Sequence, residues 1–266
     1  MPRDEEDAVG STGSEVGRRA QTRRRTWAEL KAAALDEVRE HGAVALSLRR
    51  VARRIGMSPA GLYRYVDSRE DLLTTLIADA YDDLADHLLV AVGAEDERRA
   101  DTGHPSPAPP LVAPPDADVA DRLRAVALAY RHWGVTHTQE FGLLFGDPIP
   151  GYAAPAGGPT VAAMTRVGTA MGRPLVEAWH QGRLRPRGPE PTPELAALLA
   201  PMAEVTGGGP PALAAVMLTL WGRIHGQVSL EVFGHHAWLF PDGCEALFTH
   251  DVEALLADLG VVEVST

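Results

Sequence analysis

The chain has 266 residues, nearly half of them apolar, and a formal net charge of −11; that length suits one large domain, or a small domain joined to a larger one. No apolar run approaches the ~18 residues a membrane span needs, and the single cysteine, Cys244, excludes an internal disulfide and a cysteine-rich metal site. The acidic total argues against nucleic acid, but the charge is unevenly spread. Residues 18–70 hold thirteen Lys or Arg against six acids, a local balance of +7, which leaves −18 on the remainder. A chain charged in this way meets a polyanion with one end first.

Residues 1–25 read as a disordered tail. The first seventeen are rich in Gly, Ser and acid without periodicity, and Arg18, Arg19, Arg23, Arg24 and Arg25 then form a basic arm of the kind that enters a minor groove or adds non-specific attraction. The opening Met-Pro-Arg-Asp-Glu-Glu lacks the apolar core of a secretory signal, so a cytoplasmic protein is expected.

Ordered structure is expected from Thr26, where Thr-Trp-Ala-Glu has the form of a capping box. Trp27, Leu30, Ala34 and Val38 recur at helical steps until Gly42. Ser47 caps a second, short helix with Leu48, Val51, Ala52 and Ile55 on one face and Arg49, Arg50, Arg53 and Arg54 on the other. Gly56 ends it. Ser58-Pro59 opens a third helix to about Tyr65, with proline at the first helical position where its missing N–H costs nothing. Ser68 caps a fourth, long helix to about Val92. Two short helices joined by a Gly-containing turn make a helix-turn-helix over residues 26–73, whose second helix fits the B-DNA major groove.

The run from Leu46 to Leu73, with its Leu62-Tyr63-x-Tyr65-Val66-x-x-Arg69-x-x-Leu72 ending, closely resembles the DNA-binding signature of the TetR family. That resemblance implies an all-α protein in which the helix-turn-helix is joined through the long fourth helix to a larger helical regulatory and dimerisation domain. It also implies roles for single residues. Ser47 offers a hydroxyl and free amides to a phosphate, Arg69 clamps the DNA backbone, and the Tyr63 hydroxyl reaches a phosphate. Ser58, Pro59, Ala60, Gly61, Arg64 and Tyr65 face the groove, with Arg64 placed to pair both acceptors of a guanine, and Arg49 adds a charge at the backbone. Gly61, unfavourable within a helix by about 1 kcal/mol relative to alanine, suits a close approach to DNA.

Residues 74–266 form the remainder, with residues 93–117, which hold six prolines, read as a flexible insertion. Helices are expected over 118–138, 160–182, 193–205, 211–234 and 243–259, separated by Pro/Gly-rich loops, and no segment alternates as a strand would. Leu144 to Tyr152 and Trp221-Gly-Arg-Ile-His-Gly226 resemble a subgroup of TetR-type regulatory domains named for its Trp, His and Gly. By the same resemblance a small-molecule effector binds here, with Tyr130, Trp133, Phe141, Phe145, Met171, Trp179 and His225 as candidate pocket residues. Val216, Leu220, Ile224, Leu255 and Leu259 on the last two helices are candidates for a homodimer interface, and two-fold symmetry implies a palindromic double-stranded operator.

No Gly-x-Ser-x-Gly elbow, no phosphate-cradling loop and no metal-ligand spacing is present, so no catalytic residue, cofactor or metal is expected. The expected function is a sequence-specific regulator of transcription, by family habit a repressor released by its effector. An activator, or a protein-interaction module that retains the helix-turn-helix, is the alternative.

Overall fold

A computed structural model describes residues 8–94, 108–114, 116–184, 189–203 and 206–259, with side chains from Gly17 onward. Its described residues form ten α-helices, two short 3-10 turns and no strand. They divide into two compact units, Met1–Leu76 with Asp147–Ala154, and Ile77–Gly146 with Pro155–Thr266.

In the first unit α1 runs from Ala8 to His41, eighteen residues ahead of the expected start. Thr26 therefore lies inside a helix, and the capping box does not form. Glu29 pairs instead with Arg25 one turn earlier, at 3.5 Å, because the Arg-rich stretch before Thr26 is itself good helix-forming sequence. The expected disordered arm is helical from Ala8; residues 1–7 lie outside the described residues. Leu30, Ala34 and Val38 on α1 are buried, as their spacing predicts.

α2 (Leu48–Arg54) follows a 3-10 turn at Ala43–Ala45. Gly56, at φ +66°, ends it, and Met57 N–H reaches back to the Ala52 carbonyl at 2.8 Å; only glycine enters this left-handed region at little cost. α3 is a single turn, Pro59–Leu62, and α4 spans Arg69–Ala91. Both start as the sequence predicts. Ser58 Oγ accepts the Gly61 N–H at 3.1 Å, and Ser68 Oγ accepts the Asp71 N–H at 3.0 Å. Leu46, Val51, Ala52, Leu62, Val66 and Leu72 complete the core of this unit.

The second unit holds the rest of α4 and six further helices: α5 (Val119–Thr136), α6 (Thr138–Phe145), α7 (Pro159–His180), α8 (Pro193–Leu199), α9 (Pro211–Val232) and α10 (Glu245–Asp258). Asp118 caps α5 by accepting the Asp121 N–H at 2.8 Å, so this helix starts where the sequence predicts; most of the expected insertion, residues 95–107 and 115, lies outside the described residues. α6 was not foreseen. It is eight residues long with Gly142 inside, too short to display a period.

Trp133, Tyr130, Phe141 and Phe248 are the largest fully buried side chains of this unit's core. Arg131 clasps three elements of it, donating two hydrogen bonds to Glu231 on α9 at 2.7 and 2.8 Å and one to Glu245 at the start of α10 at 3.1 Å. Burial alone pushes the Glu231 carboxyl up, but the Arg131 guanidinium and the Cys244 N–H outweigh it and hold the group below its ordinary value.

Candidate nucleic-acid interface

The short α3 leaves Ser58, Pro59, Ala60, Tyr63 and Arg64 exposed along one edge. Tyr63 is 56% exposed, a large value for an aromatic residue whose ring has no core to fill, so its hydroxyl is free to reach a partner outside the unit. Leu62 and Val66, between these residues, are buried and anchor the segment. Gly61 serves a local purpose. A Cβ there would meet Met57 Cγ at 3.0 Å and Ser58 Oγ at 3.2 Å, so the missing side chain makes room for the turn itself.

The arginines of α2 divide into two pairs. Arg50 is bonded to Glu37 and to the Ala45 carbonyl, and Arg54 grips Glu40 with two hydrogen bonds at 2.6 and 2.9 Å. Each fastens α2 to α1 and neutralises an acid. Arg49 and Arg53 are exposed and make no ion pair among the described residues. Ser47 stands at the N-terminus of α2 in an extended conformation, and its side chain makes no cap bond, which leaves its hydroxyl and the first amides of α2 facing out.

Arg69 differs from the expectation. Its guanidinium donates to the carbonyls of Ala43 at 2.9 Å, Val44 at 3.0 Å and Leu46 at 3.2 Å. These carbonyls belong to the 3-10 turn and its exit, where regular helix bonding fails. The charge is therefore engaged within the unit, tying the α1–α2 connection to α4. Tyr65 is likewise half-buried, stacked on Trp27 with ring centroids 6.3 Å apart and 9° between planes.

The second unit holds a partly open cavity of about 330 Å³, at the lower end of the usual range for small-molecule sites. Tyr81 of α4, Leu123 and Val126 of α5, Phe145 of α6, Met164, Gly168 and Met171 of α7, Met217, Leu220, Trp221 and Ile224 of α9, and Val252, Leu255 and Leu259 of α10 line it, with Met202 and others. Among the described residues no charged side chain lines it. Tyr81, Thr165 and Trp221 are the lining residues whose side chains carry a polar atom.

Residues 30–76 match the model described as bacterial regulatory proteins, tetR family, and residues 123–255 match the tetracyclin repressor-like C-terminal domain. The HTH-type transcriptional regulators Mb1846 of Mycobacterium bovis and Rv1816 of Mycobacterium tuberculosis are each 34% identical to the chain over 222 residues, 83% of this chain and 86% of theirs. The chain belongs to the TetR family of bacterial regulatory proteins. The crystal structure of SCO4313 covers 90% of this TetR-family chain and 97% of its own, at 31% identity and a TM-score of 0.63. A tetR-family regulatory protein from Rhodococcus RHA1 shares the fold at 15% identity and a TM-score of 0.55, over 89% of this chain and 98% of its own. The protein is accordingly a DNA-binding transcriptional regulator and not an enzyme.

Within this TetR-family regulator the expected pocket residues separate. Phe145 and Met171 line the cavity. Tyr130, Trp133 and Phe141 are fully enclosed core instead, and their neighbours show why. The Trp133 indole N–H donates to Asp83 at 2.7 Å, and the Tyr130 hydroxyl bonds His225 Nδ1 at 2.7 Å while His225 Nε2 lies 3.3 Å from Ser229 Oγ. Trp179 packs against a second apolar cluster around Leu175 and Leu213. Gly168 and Met217 were not among the expected pocket residues; the four- and three-residue spacing of Gly168 from Met164 and Met171 on α7, and the phase of Met217 on α9, are the signal that they share one wall.

The residues expected at a dimer interface have the following surroundings within one chain. Leu220, Ile224, Leu255 and Leu259 line the cavity of a single chain, and Val216 packs with the Leu175 cluster. Their large apolar side chains mark the inward faces of α9 and α10.

Proposed function

We propose that the protein is a repressor that binds a palindromic operator as a homodimer and is released by an uncharged, apolar small molecule. The observation that carries the DNA-reading part is the exposed edge formed by Ser58, Ala60, Tyr63 and Arg64 beside the unpaired Arg49 and Arg53. Arg64 reads a guanine, and Ser47, Arg49 and Tyr63 hold phosphates on either side.

One α3 is a single turn, too short to select a genomic site alone, so two copies act together. The support for a two-fold contact is the outward face of α9, where Thr219, Gly222, Gly226, Leu230 and Phe233 follow one another at steps of three and four residues. A Cβ at Gly222 or Gly226 would meet nothing within 4 Å. On α10, Ala246, His250, Ala254 and Ala257 form a matching exposed row. Such small side chains let helices of two copies approach closely, and the exposed Leu230, Phe233 and Trp238 add apolar area at one end.

The effector is apolar because the cavity offers it almost nothing polar, and a buried charge without a partner is strongly disfavoured. Four methionines line the wall (164, 171, 202 and 217), and their flexible thioethers adapt to more than one shape. The effector acts by binding the DNA-incompetent conformation more tightly than the competent one. A footprint of the full chain on the DNA flanking its own gene, repeated with a panel of neutral apolar metabolites, tests the proposal. A protected inverted repeat that one apolar compound opens is expected; protection without symmetry, or release only by charged compounds, contradicts it.

A further inference from the structure

The residues matched to the family's DNA-binding model begin at residue 30, yet α1 continues for more than twenty residues before that point. Arg18, Arg19, Thr22 and Arg23 on this extension face Arg64 and Tyr65 across an open cleft of about 500 Å³. Arg19 has a partner of its own, but the guanidinium groups of Arg18, Arg23 and Arg64 share one opening, and no carboxylate is among the described residues that line it. The Arg23 guanidinium carbon lies 5.8 Å from the centroid of the Tyr65 ring, and that ring also stacks with Trp27. Like charges held this close repel unless an anion enters between them.

We infer that this cleft takes the sugar-phosphate backbone of the operator duplex just beyond the base pairs addressed by α3. The inference rests on the DNA-reading role proposed above. Two features select a duplex over a small anion. The cleft is continuous with the recognition segment, because Arg64 and Tyr65 belong to both. It is also longer than a small anion needs, since Arg18 and Arg23 are five residues apart, about 7 Å along the helix axis, more than the axial rise of about 3.4 Å between successive phosphates of one strand. Thr22, whose hydroxyl bonds the Arg18 carbonyl at 2.9 Å, places a small side chain on the cleft wall between the two arginines. The basic stretch thus acts as a helical rail along the backbone and not as a flexible arm.

The test compares two duplexes selected from a random pool on the full chain, one trimmed to the recovered core and one extended by five base pairs at each end. Binding is followed by fluorescence anisotropy from low to moderate salt. The wild type is expected to bind the extended duplex about tenfold more tightly, with a log–log salt slope steeper by about two for each protomer bound. R18A/R23A should bind both lengths equally while keeping the wild-type preference for selected over scrambled sequence. R18Q, which leaves the Tyr65 stack untouched, should lose about half of the slope difference. Equal binding of both lengths by the wild type overturns the inference alone, and so does a loss that falls equally on core and extended DNA in R18Q. Failure of the wild type to bind any duplex removes the DNA-reading proposal as well. Binding of inorganic tripolyphosphate without DNA, abolished in R18A/R23A, assigns the cleft to a free polyphosphate and also overturns it.

Discussion

The Tyr152 hydroxyl lies 3.1 Å from Thr74 Oγ1, which joins the segment after α6 to α4 inside the DNA-reading unit. The same chain, seven residues earlier, supplies Phe145 to the cavity wall, and Thr74 is otherwise anchored to the Glu70 carbonyl at 2.9 Å. A shift of Phe145 on effector binding therefore has a short covalent path to a hydrogen bond on α4. Tyr152→Phe removes that bond at a cost of about 1 kcal/mol. It is expected to leave operator affinity within about threefold and to weaken effector release by a larger factor, measured as the effector concentration that frees half of the DNA. Unchanged release would show that the segment does not transmit.

Arg69 has a structural task, so its removal should act on stability first. Arg69→Ala leaves three carbonyls without a charged donor and is expected to destabilise the DNA-reading unit by about 1–3 kcal/mol, seen as a lower melting temperature. Arg64→Ala should leave melting unchanged and reduce discrimination between operator and scrambled DNA by about five- to 150-fold, the worth of one bidentate base contact at about 1–3 kcal/mol. A reversal of these two outcomes, with Arg69→Ala stable and its salt slope reduced, would restore Arg69 to the DNA backbone.

Gly168 lines the cavity, and a Cβ there would meet nothing within 4 Å. Gly168→Leu should fill part of the space without strain and give a protein that stays on DNA whatever effector is present. Gly134 is its opposite. A Cβ there would meet Val228 Cγ1 at 2.7 Å and Phe141 at 3.1 Å, so Gly134→Ala overpacks the core and is expected to cost about 1–3 kcal/mol. Thermal melts of both variants, with operator titrations of the first, check the pair.

Burial lowers the affinity of His225 for a proton, and burial first, then His137 and Arg131, does the same for His132. A histidine kept neutral in the folded protein is protonated more readily when unfolded, so stability is full above the ordinary histidine range near 6.5 and falls as pH drops through it. Glu231, held below its ordinary value, contributes at neutral pH and loses that contribution only in more acid solution, as pH falls through its lowered value. Melting temperatures should decline from pH 7.5 to 5.5, and His225→Gln should flatten that step while leaving the more acid one in place. A decline of equal size in His225→Gln would assign it to other groups.

Much of the reading unit was legible in the sequence because each of its devices is local. Ser58, Pro59, Gly56 and Ser68 act within four residues of themselves, and Leu30, Ala34 and Val38 show their common face by spacing alone. The helical form of residues 8–25 was not legible, since a run of arginines reads equally as a solvated tail or as a helix face. The partners of Arg69 lie more than twenty residues away, beyond any local pattern. In the second unit apolar residues on α9 and α10 are visible as such, but whether Leu220 or Gly222 faces inward is decided by the helices packed around them. Hydrophobicity favoured the large side chains for the two-fold contact, whereas the outward row of α9 also carries Gly222 and Gly226, and that of α10 Ala246, Ala254 and Ala257, which a hydrophobicity pattern does not single out.

The small-residue face of α9 is open to direct test. Gly222→Arg places a long charged side chain where nothing now stands within 4 Å, so the fold should be kept and self-association lost. Light scattering after size exclusion is expected to report a dimer for the wild type and a monomer for the variant, with operator affinity reduced at least a hundredfold. A dimeric variant would move the interface elsewhere.

The central claim is that two copies of the segment opening at Pro59 read one duplex. It is tested most directly by selecting duplexes from a random pool on the full chain at low salt and weighing the resulting complex. Enrichment of an inverted repeat carrying an even number of chains is the expected result. A single chain on an asymmetric sequence, or no enrichment over the starting pool, would contradict it.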